Sequence, residues 1–256
     1  MVVSSILMLE NIDWAYWAPL AAIMAAGGFM RGFAGFGSTM LTVPLLSLLM
    51  PPSDAVLIAL STDVLVMVLI FPKAAKEAEW NPVIPIVMGA FIATPLGAWI
   101  LVIASPEKMR IMIAFLVIGS ACLLLSRWKY QGRQSSLASF LIGIFSGITN
   151  TAAAIGGPPI AVYFIARGMS PIILRASLNV VSFIMESVSV VAIYVSGNYG
   201  ANNLVTIAAL FPLIVVFVWL GSVMFRYVDN SLFNKLILYF LMLFAGYVLI
   251  SNLYPE

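Results

Sequence analysis

The sequence predicts an all-α integral membrane protein, an inverted-topology repeat of two units, each a glycine-rich helical hairpin plus three transmembrane helices. Three observations carry this. Of 256 residues, 63% are hydrophobic and only 9% charged, against about 25% charged in an ordinary soluble domain. The apolar stretches have the length of bilayer spans, about 20 residues each. The basic residues gather on one side of those stretches, as a membrane orientation requires.

The elements follow in order. The first apolar stretch, 14–50, exceeds one span and is interrupted by Gly27-Gly-Phe-Met-Arg-Gly-Phe-Ala-Gly-Phe-Gly-Ser-Thr39. It reads as a hairpin of two short helices, stopped by Pro51-Pro52. Single spans are expected at 54–71, 83–104 and 109–126, each bounded by proline or charge. These elements make up a first repeat, 1–126. A basic segment, 127–134, then serves as a cytoplasmic linker. The second repeat, 135–256, is expected to hold a hairpin at 135–165 and spans at 176–196, 204–224 and 232–250. Trp14, Tyr16 and Trp17, with Trp128 and Tyr130, fit interfacial aromatic belts.

The halves also share residues. Gly28, Gly32 and Pro44 are separated by 4 and 12 positions, and Gly143, Gly147 and Pro159 repeat those separations 115 residues later. Each half crosses the membrane an odd number of times, whether its hairpin spans or dips in and returns. The second half is then inverted relative to the first. With both termini extracytoplasmic, nine of the 12 basic residues (Lys73, Lys76, Arg127, Lys129, Arg133, Arg167, Arg175, Arg226 and Lys235) fall on the cytoplasmic side. Only Lys108 and Arg110 fall outside, and Arg31 remains in the first hairpin.

Several classes are excluded. Histidine is absent, so neither a zinc protease of the HExxH type nor a His-dependent serine protease can be built. No GxxxxGK[ST] signature occurs, so the chain does not power itself by nucleotide hydrolysis. A net charge of +2 supplies no basic patch for nucleic acid. No metal or cofactor is expected, and no enzyme activity. Residues 1–13 carry no Lys or Arg, so an ordinary signal peptide is not expected. Cys122, the single cysteine, reads as an inert buried thiol.

Inverted-repeat transporters place substrate near the midplane, at broken helices. The reason is that exposed backbone N–H groups are tolerated there only beside a cavity. Two such breaks occur here: Gly35-Phe-Gly-Ser-Thr39, and Thr149-Asn-Thr-Ala-Ala-Ala-Ile-Gly-Gly157 followed by Pro158-Pro159. Helix N-termini attract anions. Ser38, Thr39 and Thr151 offer hydroxyls, Asn150 an amide, and Gly35, Gly37, Gly156 and Gly157 permit close backbone approach to a ligand. Gly28, Gly32, Gly143 and Gly147 read instead as helix-packing positions.

The hairpin ending in Val43-Pro44-Leu45-Leu46, and its partner Gly156-Gly-Pro-Pro-Ile160, resemble the two repeated signatures of the sulfite exporter TauE/SafE family over nearly the whole chain. Ser38, Thr39 and Met40 replace glycine-like positions of the family's first cluster. The resemblance implies secondary active transport of sulfite, sulfoacetate or a related organosulfonate across the plasma membrane, the inner membrane of a bacterium. Alternatives are a transporter of another small anion (a carboxylate or an inorganic sulfur oxyanion) and a passive anion channel. The expected partners are a small anionic substrate and the lipid bilayer; a homo-oligomer stays open.

Few charges remain within the spans. Arg31 is a substrate-binding candidate, since a sulfonate suits a guanidinium, or else a basic anchor at the hairpin's cytoplasmic tip. Arg175, at the start of a span, reads as an anchor. Asp63 and Glu186 are proton-coupling candidates, because intramembrane carboxylates commonly mark ion pathways; each can equally be a structural acid or pair with Arg31. Aligning Ala55 with Ala176 leaves these two acids two residues out of register. Asn179 is the favoured additional substrate-binding polar group, ahead of Ser61, Thr62 and Ser182, because isolated Ser and Thr in membrane helices tend to bond their own backbone.

Overall fold

A computed structural model describes residues 14–126, 135–196 and 201–225, with Tyr239 and Gly246. Among them the chain is all-helical: α1 (Trp14–Ala34), α2 (Ser38–Leu46), α3 (Pro52–Glu77), α4 (Trp80–Ile103), α5 (Pro106–Leu125), α6 (Ser136–Ala153), α7 (Gly157–Ala166), α8 (Pro171–Ser196) and α9 (Ala201–Met224). The linker expected at 127–134, and the span expected at 232–250 apart from two residues, lie outside the described residues.

Six of these helices are long and apolar enough to cross a membrane: α3, α4, α5, α6, α8 and α9. The sequence expects single spans at 54–71 and 176–196; the helices there begin earlier, at Pro52 and Pro171, and α3 continues through Pro72 to Glu77. Charge near Lys73 ends an apolar stretch but not a helix, since Lys73 pairs with Glu77 one turn on, at 4.0 Å.

The hairpins differ from two short helices. Each pairs a long arm with a short one: 21 and 9 residues in the first, 18 and 10 in the second. The first break falls where expected, with Gly35 at φ 79° and Gly37 at φ 82°. The second is narrower than 149–157, because α6 runs to Ala153. Thr149 and Thr151 turn their hydroxyls back to the carbonyls of Phe145 and Gly147, at 3.1 and 3.0 Å. Hydroxyls bonded this way leave a helix intact. Ala154, at φ 57°, then turns the chain.

Packing is reciprocal between the halves. The broadest contacts are α4 with α6, α1 with α9, and α3 with α8. Thus each hairpin's long arm lies on a helix of the opposite half. Gly28 and Gly32 let α1 approach α9 at Ile214 and Val218, while Gly143 and Gly147 let α6 approach α4 at Ile86 and Ala90. A methyl group on Gly147 would sit 2.6 Å from the Ala90 Cα. In lipid, small residues at crossings allow the close backbone approach on which van der Waals packing depends.

Phe71, near the end of α3, meets Phe183 of α8 with centroids 4.6 Å apart. The outer faces remain apolar and exposed, as at Phe91, Ile92, Trp99 and Phe115. Cys122 is also on an exposed face, not buried as expected. It follows Ala121, which is buried, and a helical neighbour turned by about 100° leaves the core.

Candidate functional site

The hairpin tips meet in the interior. The Thr39 hydroxyl, at the start of α2, donates to the Ala154 carbonyl at 2.6 Å, and these positions are 115 residues apart, the spacing of the repeat. Beside this contact lies a cavity of about 10 Å³, enough for about one water molecule. Arg31, Gly37, Thr39 and Met40 line it from the first hairpin. Asn150, Gly157 and Pro158 line it from the second, and Ser182 and Glu186 from α8.

Arg31 occupies the last turn of α1, where the carbonyl end of the helix favours a cation. It is 2% exposed, with Asp63 at 5% and Glu186 at 3%. An interfacial anchor would be exposed, so the tip-anchor alternative does not hold. Asp63 and Glu186 reach Arg31 from the facing helices α3 and α8. The Asp63 Oδ2 lies 3.5 Å from one terminal nitrogen, and the Glu186 Oε1 lies 3.8 Å from the other. Being two residues out of register does not separate them, because both helices cross at the same guanidinium. Nε and Nη2 of Arg31, and Oε2 of Glu186, have no hydrogen-bond partner. Buried polar groups without partners are uncommon and call for an explanation.

The remaining candidates are mostly engaged within the protein. Ser38 donates to Asp63 at 2.7 Å. The Asn150 amide nitrogen donates to Ser189 at 3.0 Å, and the Thr151 hydroxyl meets the same Ser189 oxygen at 2.7 Å. Gly156 packs against Asn150, and Gly35 against the Arg175 side chain. Asn179 is buried, with an Oδ1 that lacks a partner, but does not line the cavity. Ser182, ranked below it from sequence, does line it. Glu186 follows one turn after Ser182 on the same face; Asn179 shares that face but lies about two turns before Glu186, short of the cavity.

Arg175 is half-buried rather than a free anchor. It donates to the Gly32 carbonyl at 2.6 Å and lies over the Phe225 ring at 4.9 Å. Sequence reasoning missed Ser189 altogether. The available signal was its spacing, three residues beyond Glu186 and seven beyond Ser182, which puts all three on one helical face.

The helix ends are unequal. Three residues at the start of α2, Ser38, Thr39 and Met40, keep their N–H groups, whereas α7 begins Gly157-Pro158-Pro159. Proline has no N–H, so α7 presents fewer donors than the sequence layout suggests. Among the described residues no group of three or more His, Cys, Asp or Glu side chains is placed to hold a metal ion.

Comparison with curated proteins and with solved structures gives no match. The sequence profile described as Sulfite exporter TauE/SafE matches residues 20–248, which includes the first hairpin from Leu20 onward, the whole second hairpin, the cavity and the Arg31 cluster. That family is one of membrane transporters, not enzymes. With nearly its whole length matched, this chain belongs to the sulfite exporter TauE/SafE family.

Proposed function

We propose that the chain is a secondary active transporter that moves a small organosulfonate or sulfite-like anion across the plasma membrane by alternating access. The observation that carries this reading is Arg31, buried at the meeting of the two hairpins with guanidinium N–H groups that no protein acceptor uses. A sulfonate is a permanent anion with three acceptor oxygens and matches such donors. The first turn of α2 lines the same cavity and adds the positive end of a helix. Gly37, Thr39, Asn150 and Gly157 complete the proposed binding surface, with Glu186 as the proton-coupling group and Asp63 as the second carboxylate on Arg31.

A cavity of about 10 Å³ does not hold such an anion, so the hairpins must part for it to enter. The reciprocal packing of each long arm on the opposite half supports an inverted repeat whose bundles move against each other. Such motion has to break contacts between the halves. Arg167 with Glu79 at 3.2 Å is one, and Asn203 with Asp54 at 2.9 Å is another. The charge distribution supports extracytoplasmic termini in a bacterial inner membrane.

The test is flux in sealed proteoliposomes with labelled sulfoacetate, taurine and sulfite. Saturable flux of one of them, stimulated by the same anion on the far side, is expected of a carrier. Saturable flux of none would sink the substrate assignment. Unitary conductance without counterflow would mean a channel instead.

A further inference from the structure

Resting on that transport reading, we propose that Glu186 and the transported anion compete for Arg31, and that Glu186 leaves the guanidinium as a protonated acid, so anion and proton cross together. The two acids on Arg31 are held differently. Asp63 Oδ2 accepts the Ser38 hydroxyl at 2.7 Å and stands 3.5 Å from Nη1. It does not line the cavity. Glu186 does line it. Its Oε1 is 3.8 Å from Nη2, beyond hydrogen-bond range, and its Oε2 has no partner. Asp63 is thus a fixed counter-ion, and Glu186 a loosely tethered one with an open side.

Charge balance supplies the proton. Arg31 now faces two carboxylates. An anion arriving beside an ionised Glu186 would place at least three negative charges around one guanidinium in a site at most 5% exposed. Buried charge without a partner is strongly unfavourable. If Glu186 takes up one proton as a monovalent sulfonate takes its place, the total is unchanged, and for a dianion such as sulfoacetate the same proton halves the added negative charge.

The surroundings offer no substitute. The charged groups about Glu186 are Arg31 from α1, Asp63 from α3 and, further along α8, Arg175. The Arg175 guanidinium is directed to the Gly32 carbonyl and the Phe225 ring. Among the described residues, α2, α6 and α7 bring the uncharged Thr39, Met40, Asn150, Gly157 and Pro158 to the cavity. The proton enters from the aqueous side that supplies the anion. It leaves on the other side, when the anion departs and the Glu186 carboxylate returns to Arg31.

Sulfoacetate is a suitable probe, since both of its acid groups stay ionised near neutral pH and it carries no exchangeable proton of its own. Proteoliposomes loaded with a pH-sensitive dye should show about one proton entering per sulfoacetate. Glu186→Gln, with a permanently neutral side chain, should still move sulfoacetate but without the pH signal. Asp63→Asn should reduce flux while keeping the proton-to-anion ratio. Should Glu186→Gln fail to fold, proton uptake on mixing sulfoacetate with unbuffered, detergent-solubilised protein reads the same coupling, present in wild type, Glu186→Asp and Asp63→Asn. Sulfoacetate flux in wild type without proton movement would overturn the inference and leave the transport reading intact. So would proton coupling that survives in Glu186→Gln. Absence of sulfoacetate flux and binding in wild type removes the inference for this anion, and if taurine and sulfite also fail to move, the transport reading falls with it.

Discussion

The two hairpins share a backbone plan but not a chemistry. In the first, Gly28-Phe-Met-Arg-Gly32 packs on α9; in the second, Gly143-Ile-Phe-Ser-Gly147 packs on α4. The glycines coincide under the repeat spacing, and so do Arg31 and Ser146. Arg31 ties α1 to two carboxylates. Ser146 is fully buried, with a hydroxyl that has no partner. The breaks differ too: two glycines with positive φ turn the first, a single alanine the second. Scaffold and charge therefore follow different rules. The glycine spacing recurs because each long arm needs a partner helix at close range. The charge is single because a second buried guanidinium would repel the first and require its own counter-ions.

The largest effect should come from Arg31→Ala. It leaves two carboxylates buried without their cation, which typically costs about 3–5 kcal/mol. Flux in proteoliposomes should vanish and the melting temperature in detergent should fall. Near-normal transport would place the anion elsewhere and break the comparison at its centre.

Gly32→Ala and Gly147→Ala come next and should be judged as a pair. Each puts a methyl group into the backbone of the facing helix, at Val218 and at Ala90. Overpacking of this kind costs about 1–3 kcal/mol or more. Similar losses of thermal stability are expected in both. A large loss in one with none in the other would contradict a duplicated scaffold.

Asn150→Ala should cost less, about 1 kcal/mol for the lost hydrogen bond to Ser189. Because Asn150 lines the cavity, a concentration series should also show a higher half-saturation for the anion. A lower melting temperature with unchanged half-saturation would make it purely structural. Ser146→Ala, the counterpart of the first variant, should be the mildest, within about 0.5 kcal/mol of wild type. Removing a hydroxyl that bonds nothing leaves no group unsatisfied. Loss of transport in Ser146→Ala would give the second hairpin a functional role equal to the first.

Much of the plan was legible from residues. Glycine at four-residue spacing marked the helix crossings, since only a missing side chain allows backbones so close in lipid. The first break showed in Gly35 and Gly37. The second was misjudged in extent, because Thr149, Asn150 and Thr151 look like loop residues until their side chains are seen bonded within the helix or to Ser189. Asn179 was preferred over Ser182 on hydrogen-bonding capacity alone. Capacity says nothing about depth, and the level of α8 that meets the cavity is set by how α8 packs on α3.

Sequence by itself determined that the chain lives in a membrane, that one glycine and proline spacing recurs 115 residues on, and that Arg31, Asp63 and Glu186 are the charges within the spans in need of explanation. Those properties follow from composition and spacing, which are local. Only the tertiary structure decided that the three charges form one cluster, that Asp63 is held while Glu186 is loose, and that the space between the hairpins is closed to about one water. The physical reason is that the cluster is assembled from α1, α3 and α8, residues up to 155 positions apart. Their meeting depends on how helices cross, and a crossing is fixed by surfaces that no single stretch of sequence contains.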